Sequence, residues 1–156
     1  MQKLFLFLSI LFLLTSCGGD DDICLNSDST PSLKLKFRNN IDQQVRLDSL
    51  YVDVDYGNNT YKNILTRANA DSVMIPLRID DSPYTDVRIR LRKRGAVSSI
   101  RISYDKKSIY VSPACGFKIN FENLKADLLQ SDPVQSILSN HTSLTDESKV
   151  NFYLRF

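Results

Sequence analysis

A chain of 156 residues with 20 basic and 18 acidic side chains carries a formal net charge of +2. It therefore has no global field that would steer it to nucleic acid. Its length suits one domain with a single core and is too short for two comfortable ones. The apolar share of 42% and aromatic share of 10% are those of an ordinary globular protein.

Met1-Gln2-Lys3 is a short basic start, and Leu4 to Leu14 is an apolar run broken only by Ser9. A run of about 11 residues cannot cross roughly 30 Å of hydrocarbon as a helix. It reads as a signal helix to be recognised and removed. Leu14-Thr15-Ser16-Cys17, followed by Gly18 and Gly19, has the small-residue cleavage pattern of a lipobox. Residues 1–16 are thus expected to be a lipoprotein signal peptide, with Cys17 as the lipidated residue. An ordinary signal peptide with an accidental cysteine is the alternative. Two or three acyl chains on one cysteine anchor a protein stably where a single chain does not. Asp20-Asp21-Asp22 resembles the acidic export signal by which Bacteroidota lipoproteins reach the outer face of the outer membrane. That places the protein at the cell surface. The competing reading is a solvated tether on a lipoprotein facing the periplasm.

Removing 16 of the 156 residues leaves 140, and loss of Lys3 leaves 19 basic residues against 18 acidic ones. With Cys17 given to lipid, Cys24 and Cys115 remain, and an oxidising envelope favours pairing them. The closed loop of about 92 residues would contribute roughly 4–5 kcal/mol at most. Two free thiols or an intermolecular bond are the alternatives. No metal site or cofactor is expected, because His141 is the only histidine and no Cys-x-x-Cys spacing exists.

Residues 17–31 read as a lipidated tether ending in Pro31, and residues 32–156 as one β domain. Leu33, Leu35 and Phe37 alternate with Lys34, Lys36 and Arg38 in a first strand, and Asn39-Asn40 turns. Val45 to Leu47 and Leu50 to Tyr56 make the next strand region, ended by Gly57-Asn58-Asn59. Tyr61 to Leu65 and Val73 to Leu77 are short apolar segments, the second interrupted by Pro76 in the manner of an edge. Val87 to Arg92 alternates most clearly, and the loop Lys93-Arg94-Gly95-Ala96 joins it as a hairpin to Val97–Tyr104. Asp105-Lys106-Lys107 is expected to turn into Ser108–Val111, and Phe117–Phe121 alternates again. Residues 123–140 are ambiguous: Leu124, Leu128 and Leu129 suit a short helix, and Pro133 breaks any long one. Val150 to Phe156 is a final strand. Turn signals at short intervals between half-buried strands predict an all-β fold, an antiparallel β-sandwich or open barrel of roughly eight strands.

The stretch Tyr104-Asp105-Lys106-Lys107-Ser108-Ile109-Tyr110-Val111-Ser112-Pro113-Ala114-Cys115-Gly116-Phe117 completes a pattern with Cys24, Thr30-Pro31, the first strand and the Phe-rich last strand. Together they resemble an uncharacterised group of Bacteroidota lipoproteins, a domain of unknown function about this long. The resemblance covers nearly the whole mature chain. It implies a Cys24–Cys115 pair and a Bacteroidota source, and it implies no activity.

Arg88, Arg90 and Arg92, with Arg94 close by, form a basic stripe on one sheet face, joined by Arg101 on the partner strand. Guanidinium forks suit phosphate or carboxylate, so this is the candidate face for an anionic ligand. The simpler reading, which we favour, is a solvated face paired with acidic neighbours that discourages edge pairing. Lys34, Lys36 and Arg38 make a second basic row. Asp53-Val54-Asp55 opens like a calcium loop, but Asn58 and Ile64 occupy the positions that need Gly and Glu. His141 near Ser139 and Asp146 lacks a Gly-x-Ser-x-Gly elbow, and no catalytic residue is expected. The terminal Phe156 resembles the end of a membrane barrel, but the strands expected from these patterns are shorter than the 9–11 residues such barrels need, and a core-facing last strand is expected. The chain reads as a non-enzymatic lipoprotein module, held to membrane by its lipid, with an envelope protein or a glycan as partner. A surface glycan-binding lipoprotein is the second reading, weakened by the absence of tryptophan and kept open by seven tyrosines.

Overall fold

The computed structural model describes Cys24 and residues 28–156. The expected signal peptide, Cys17 and Asp20-Asp21-Asp22 lie outside the described residues. Those described form nine strands and no helix: β1 (Leu33–Arg38), β2 (Leu47–Asp55), β3 (Tyr61–Ala70), β4 (Ser72–Ile75), β5 (Tyr84–Arg90), β6 (Ser98–Ser112), β7 (Gly116–Gln130), β8 (Ser136–Ser139) and β9 (Phe152–Arg155). One sheet has the order β4-β1-β9-β8 and the other β3-β2-β5-β6-β7. All pairings are antiparallel except β1 with β9, which joins the first and last strands in parallel. The expected sandwich is therefore present, with one strand more than anticipated.

The period of two places the core. Leu33, Leu35 and Phe37 of β1 and Phe152 and Leu154 of β9 face Leu50, Val52 and Val54 of β2, Val87 and Ile89 of β5, and Ile100 and Ile102 of β6, all buried in one cluster. Alternating neighbours turn outward. Buried polar groups are satisfied within this core. The Asn151 side chain accepts from the Lys34 N–H at 3.1 Å and donates to the carbonyls of His141 and Ser143. Asn151 thus clamps β1 to the segment before β9. Thr85 meets the Tyr104 hydroxyl at 2.7 Å, and both bond the backbone of Arg78.

Two expectations are corrected at the end of the sheet. The turn anticipated at Asp105-Lys106-Lys107 does not form, because these residues pair with Glu122, Phe121 and Asn120 across a continuous β6–β7 ladder. No Gly or Pro interrupts them. Residues 123–130 are strand rather than helix. A register shift opposite Ser103/Asp105, with Asn123 at φ 53°, inserts an extra residue in β7. Phe121 and Leu124 consequently both point into the core, three residues apart, which imitates a helical spacing.

β6 and β7 are 15 residues each, about 50 Å long at the usual rise per residue. β5 stops pairing at Tyr84 opposite Ser103, and after the Tyr104 N–H donates to the Pro83 carbonyl the only strand paired with β6 is β7. None of residues 105–120 is buried. This two-stranded arm extends past the sandwich and ends in the turn Pro113-Ala114-Cys115, where Gly116 adopts φ 68°. The free edge of β7 is covered nearer the core: Phe121 and Leu144 exchange backbone hydrogen bonds, and the Leu124 N–H donates to the Thr142 carbonyl.

Candidate functional site

The outward face of the five-stranded sheet gathers the predicted arginines. On β5 the residues alternating with Val87 and Ile89 are Tyr84, Asp86, Arg88 and Arg90. On β2 those alternating with Leu50, Val52 and Val54 are Tyr51, Asp53 and Asp55. Register sets Asp53 opposite Arg88, Asp55 opposite Asp86, and Asp86 opposite Arg101 of β6. The face is a mosaic in which Arg88, Arg90 and Arg101 each have an assigned neighbour. Arg101 grips Asp86 with a fork, Nε to Oδ1 at 2.8 Å and Nη2 to Oδ2 at 2.7 Å, and lies 3.9 Å from the Tyr84 ring centroid. This fork raises the Arg101 pKa above its ordinary value. Arg90 pairs with Asp53 through Nη2 and donates to the Lys93 carbonyl through Nη1. Arg88 reaches across β2 and stacks 3.6 Å from the centroid of Tyr61.

Arg88 and Arg90 are thus brought together as expected, with Arg101 beside them. Arg92 lies beyond the end of β5 and lines two other shallow depressions, one with Gly95 and Pro133 and one with Arg46 and Asp48. The second basic row does not join this surface. Lys34, Lys36 and Arg38 sit on β1 in the opposite sheet, where Arg38 stacks 3.7 Å from the Tyr153 ring and pairs with Asp42 at 3.8 Å. The two basic sets occupy the two outer faces of the sandwich.

The arginine face carries a depression of about 380 Å³ lined by Tyr51, Asn63, Thr66, Arg90, Lys93 and Arg94. Tyr51 is half-buried at its floor, 5.8 Å from the Arg90 guanidinium carbon, and Lys93 and Arg94 are exposed at its rim. The depression presents one aromatic ring and two solvent-facing cations, while the Asn63 amide and the Thr66 hydroxyl are bonded to Val52, Asp53, Leu65 and each other. Tyr51, Asn63, Thr66 and Lys93 were not anticipated as site residues. The alternation of β2 carried the signal for Tyr51, whereas Asn63 and Thr66 depend on a pairing register that the sequence does not display.

Asp53 and Asp55, considered for calcium, have other partners: Asp53 binds Arg90 and Asn63, and Asp55 accepts from the Gly57 N–H at 2.8 Å. Among the described residues no cluster of three His, Cys, Asp or Glu could hold a metal. His141 is exposed and its N–H donates to the Asn151 carbonyl, while Asp146 accepts from Ser148 and Thr145 within its own turn.

Cys24 and Cys115 form a disulfide with Cα atoms 5.7 Å apart and 91 residues of separation. It fastens the segment preceding β1 to the tip of the arm. Between these points the Ile119 N–H donates to Thr30 Oγ1 at 2.9 Å, and Pro31 is buried.

Residues 52–156 match the family model described as Family of unknown function (DUF6452). The match takes in the second half of β2, the arginines of β5 and β6 and the whole arm, and it begins after Cys24, β1 and Tyr51. No curated protein and no solved structure matches the chain.

Proposed function

The chain belongs to Family of unknown function (DUF6452), so its role is read from its own residues, and we propose that it is a lipid-anchored Bacteroidota envelope lipoprotein. On this reading it is a non-enzymatic binding or interaction module at the outer membrane. The observation that carries the reading is the apolar run ending in Leu14-Thr15-Ser16-Cys17. A Cys24–Cys115 disulfide supports it, since such bonds persist in oxidising compartments and are rare in the cytosol. Asp20-Asp21-Asp22 supports display at the cell surface. The internally paired arginine face supports a scaffold role over capture of a strongly charged polymer. Metabolic labelling with an alkyne fatty acid tests the anchor. Label should enter the native protein and be lost in Cys17→Ser, which should also move to the soluble fraction. A labelled, membrane-bound Cys17→Ser protein would refute the anchor.

The Tyr51 depression favours a second reading, surface glycan binding. There the Tyr51 ring would carry a sugar face while Lys93 and Arg94 read its carboxylate or phosphate. A glycan array probed with the native protein and with the Lys93→Ala/Arg94→Ala variant decides it. Binding to acidic glycans that the variant loses supports it, and no binding to any acidic glycan removes it.

A further inference from the structure

We propose that the β6–β7 arm is the membrane-facing end of this protein, its Tyr110–Phe117 pair resting in the headgroup–acyl boundary of the leaflet that holds the anchor. The inference rests on the lipid anchoring proposed above. Tyr110 and Phe117 are cross-strand partners on one face of the arm, in edge contact with centroids 5.3 Å apart. They are 57% and 69% exposed. Alternation puts them on the side of the ribbon that bears Tyr104 and Phe121 nearer the sandwich, with Lys106, Ser108 and Ile119 between the two aromatic pairs. Pro113 and Ala114 are exposed beside them at the tip.

Covalent reach selects the occupant. Cys24 is seven residues after Cys17, and seven residues span at most about 25 Å in any conformation. The disulfide hands that short leash to Cys115, two residues from Phe117. Without the bond a first strand attachment would be Thr30, thirteen residues from Cys17, whose hydroxyl accepts from the Ile119 N–H. The crosslink therefore shortens the leash by nearly half and moves its attachment to the arm tip, the far end of a roughly 50 Å hairpin. A tethered contact needs little affinity, because linkage supplies a high effective concentration. Two aromatic rings of this kind suit the interface, where Tyr keeps its hydroxyl wet and its ring in the apolar layer.

The natural chain has no tryptophan, so a single introduced one is an unambiguous reporter. Full-length lipidated Tyr110→Trp and Phe117→Trp proteins are reconstituted into phosphatidylethanolamine–phosphatidylglycerol vesicles with and without lipid brominated near the headgroup. Tyr153→Trp, on the opposite sheet, is the control. The inference expects blue-shifted emission, quenched by bromine, at both arm positions and unquenched emission at the control. It also expects weaker arm quenching when Cys24→Ser/Cys115→Ser is added. Vesicle flotation separates the two claims. Proteins that float but show unquenched, water-like arm emission overturn the membrane-facing arm while leaving the anchor intact. Proteins that do not float overturn the anchor, and this inference with it. Equal quenching at all three positions, or concealment of the arm by a second copy or a protein partner, also overturns it.

Discussion

Asp86 on β5 and Arg101 on β6 stand opposite each other, and the guanidinium donates two parallel hydrogen bonds to the carboxylate on the outer face of the larger sheet. The pair turns a basic stripe into a neutral one at its centre, and the Arg101 guanidinium also covers the Tyr84 ring. A planar fork fixes both side chains where a lysine would bind one oxygen at a time.

Asp86→Asn should therefore destabilise the domain by about 0.5–1 kcal/mol, the scale of a cross-strand or partly exposed ion pair. Arg101 is 38% exposed, so the effect should shrink as salt is raised. A double-mutant cycle with Arg101→Met, followed by chemical denaturation at low and high salt, measures the coupling. Zero coupling at low salt would contradict the role assigned to the fork.

Asn151 is fully buried and bonds the Lys34 N–H and two carbonyls. Asn151→Leu strands these backbone groups without water, and leaving buried polar groups unpaired costs about 1–3 kcal/mol each. Asn151→Leu and Asn151→Asp should both lower the melting temperature more than Asn140→Ala, whose side chain is exposed. Equal melting temperatures for all three would refute the clamp between β1 and the segment before β9.

The disulfide is predicted to matter through the unfolded chain. Cys24→Ser or Cys115→Ser should cost about 2–4 kcal/mol, and the double variant should be no worse than either single one. Hydrogen exchange should also accelerate at Ile119, whose N–H is held by Thr30. Additive losses in the double variant would show that each serine disrupts something other than the bond.

Much of the sandwich was legible because β1, β5 and the first half of β6 alternate without interruption, and the period of two is the direct imprint of one buried face. The arm was not. Its outer half holds no fully buried residue, so its pattern carries little core signal, and polar Asp105-Lys106-Lys107 looks like a turn unless the partner strand is known. The bulge at Asn123 hid β7 for the opposite reason, by giving core residues a helix-like spacing. Of the site, the arginines of β5 could be read from alternation alone. Their pairing with Asp53, Asp86, Tyr61 and Tyr84 depends on strand order, which no single strand encodes.

Acid should loosen the smaller sheet. The fork from Arg155 holds the Asp42 carboxyl below its ordinary pKa, opposed by desolvation and helped by the charges of Arg155 and Arg38. Asp80 is lowered in the same way by its hydrogen bonds to Arg78. A carboxyl depressed in the folded state contributes stability above its unfolded pKa of about 3.9 and loses it as pH falls through the folded value. Melting temperature should hold from neutrality to about pH 5 and decline below about pH 4. Asp42→Asn should lower the plateau slightly and make the decline shallower. A decline that begins above pH 6 would point to other groups.

The most direct measurement of the account as a whole is the mass of the N-terminal peptide from protein purified out of its native membranes. Cleavage before Cys17 and a diacylglyceryl thioether on that residue are predicted, in a chain whose Cys24 and Cys115 peptides run as one species until reduced. An N-terminal peptide that begins at Met1, or a mature N-terminus carrying an unmodified Cys17 thiol, would contradict it.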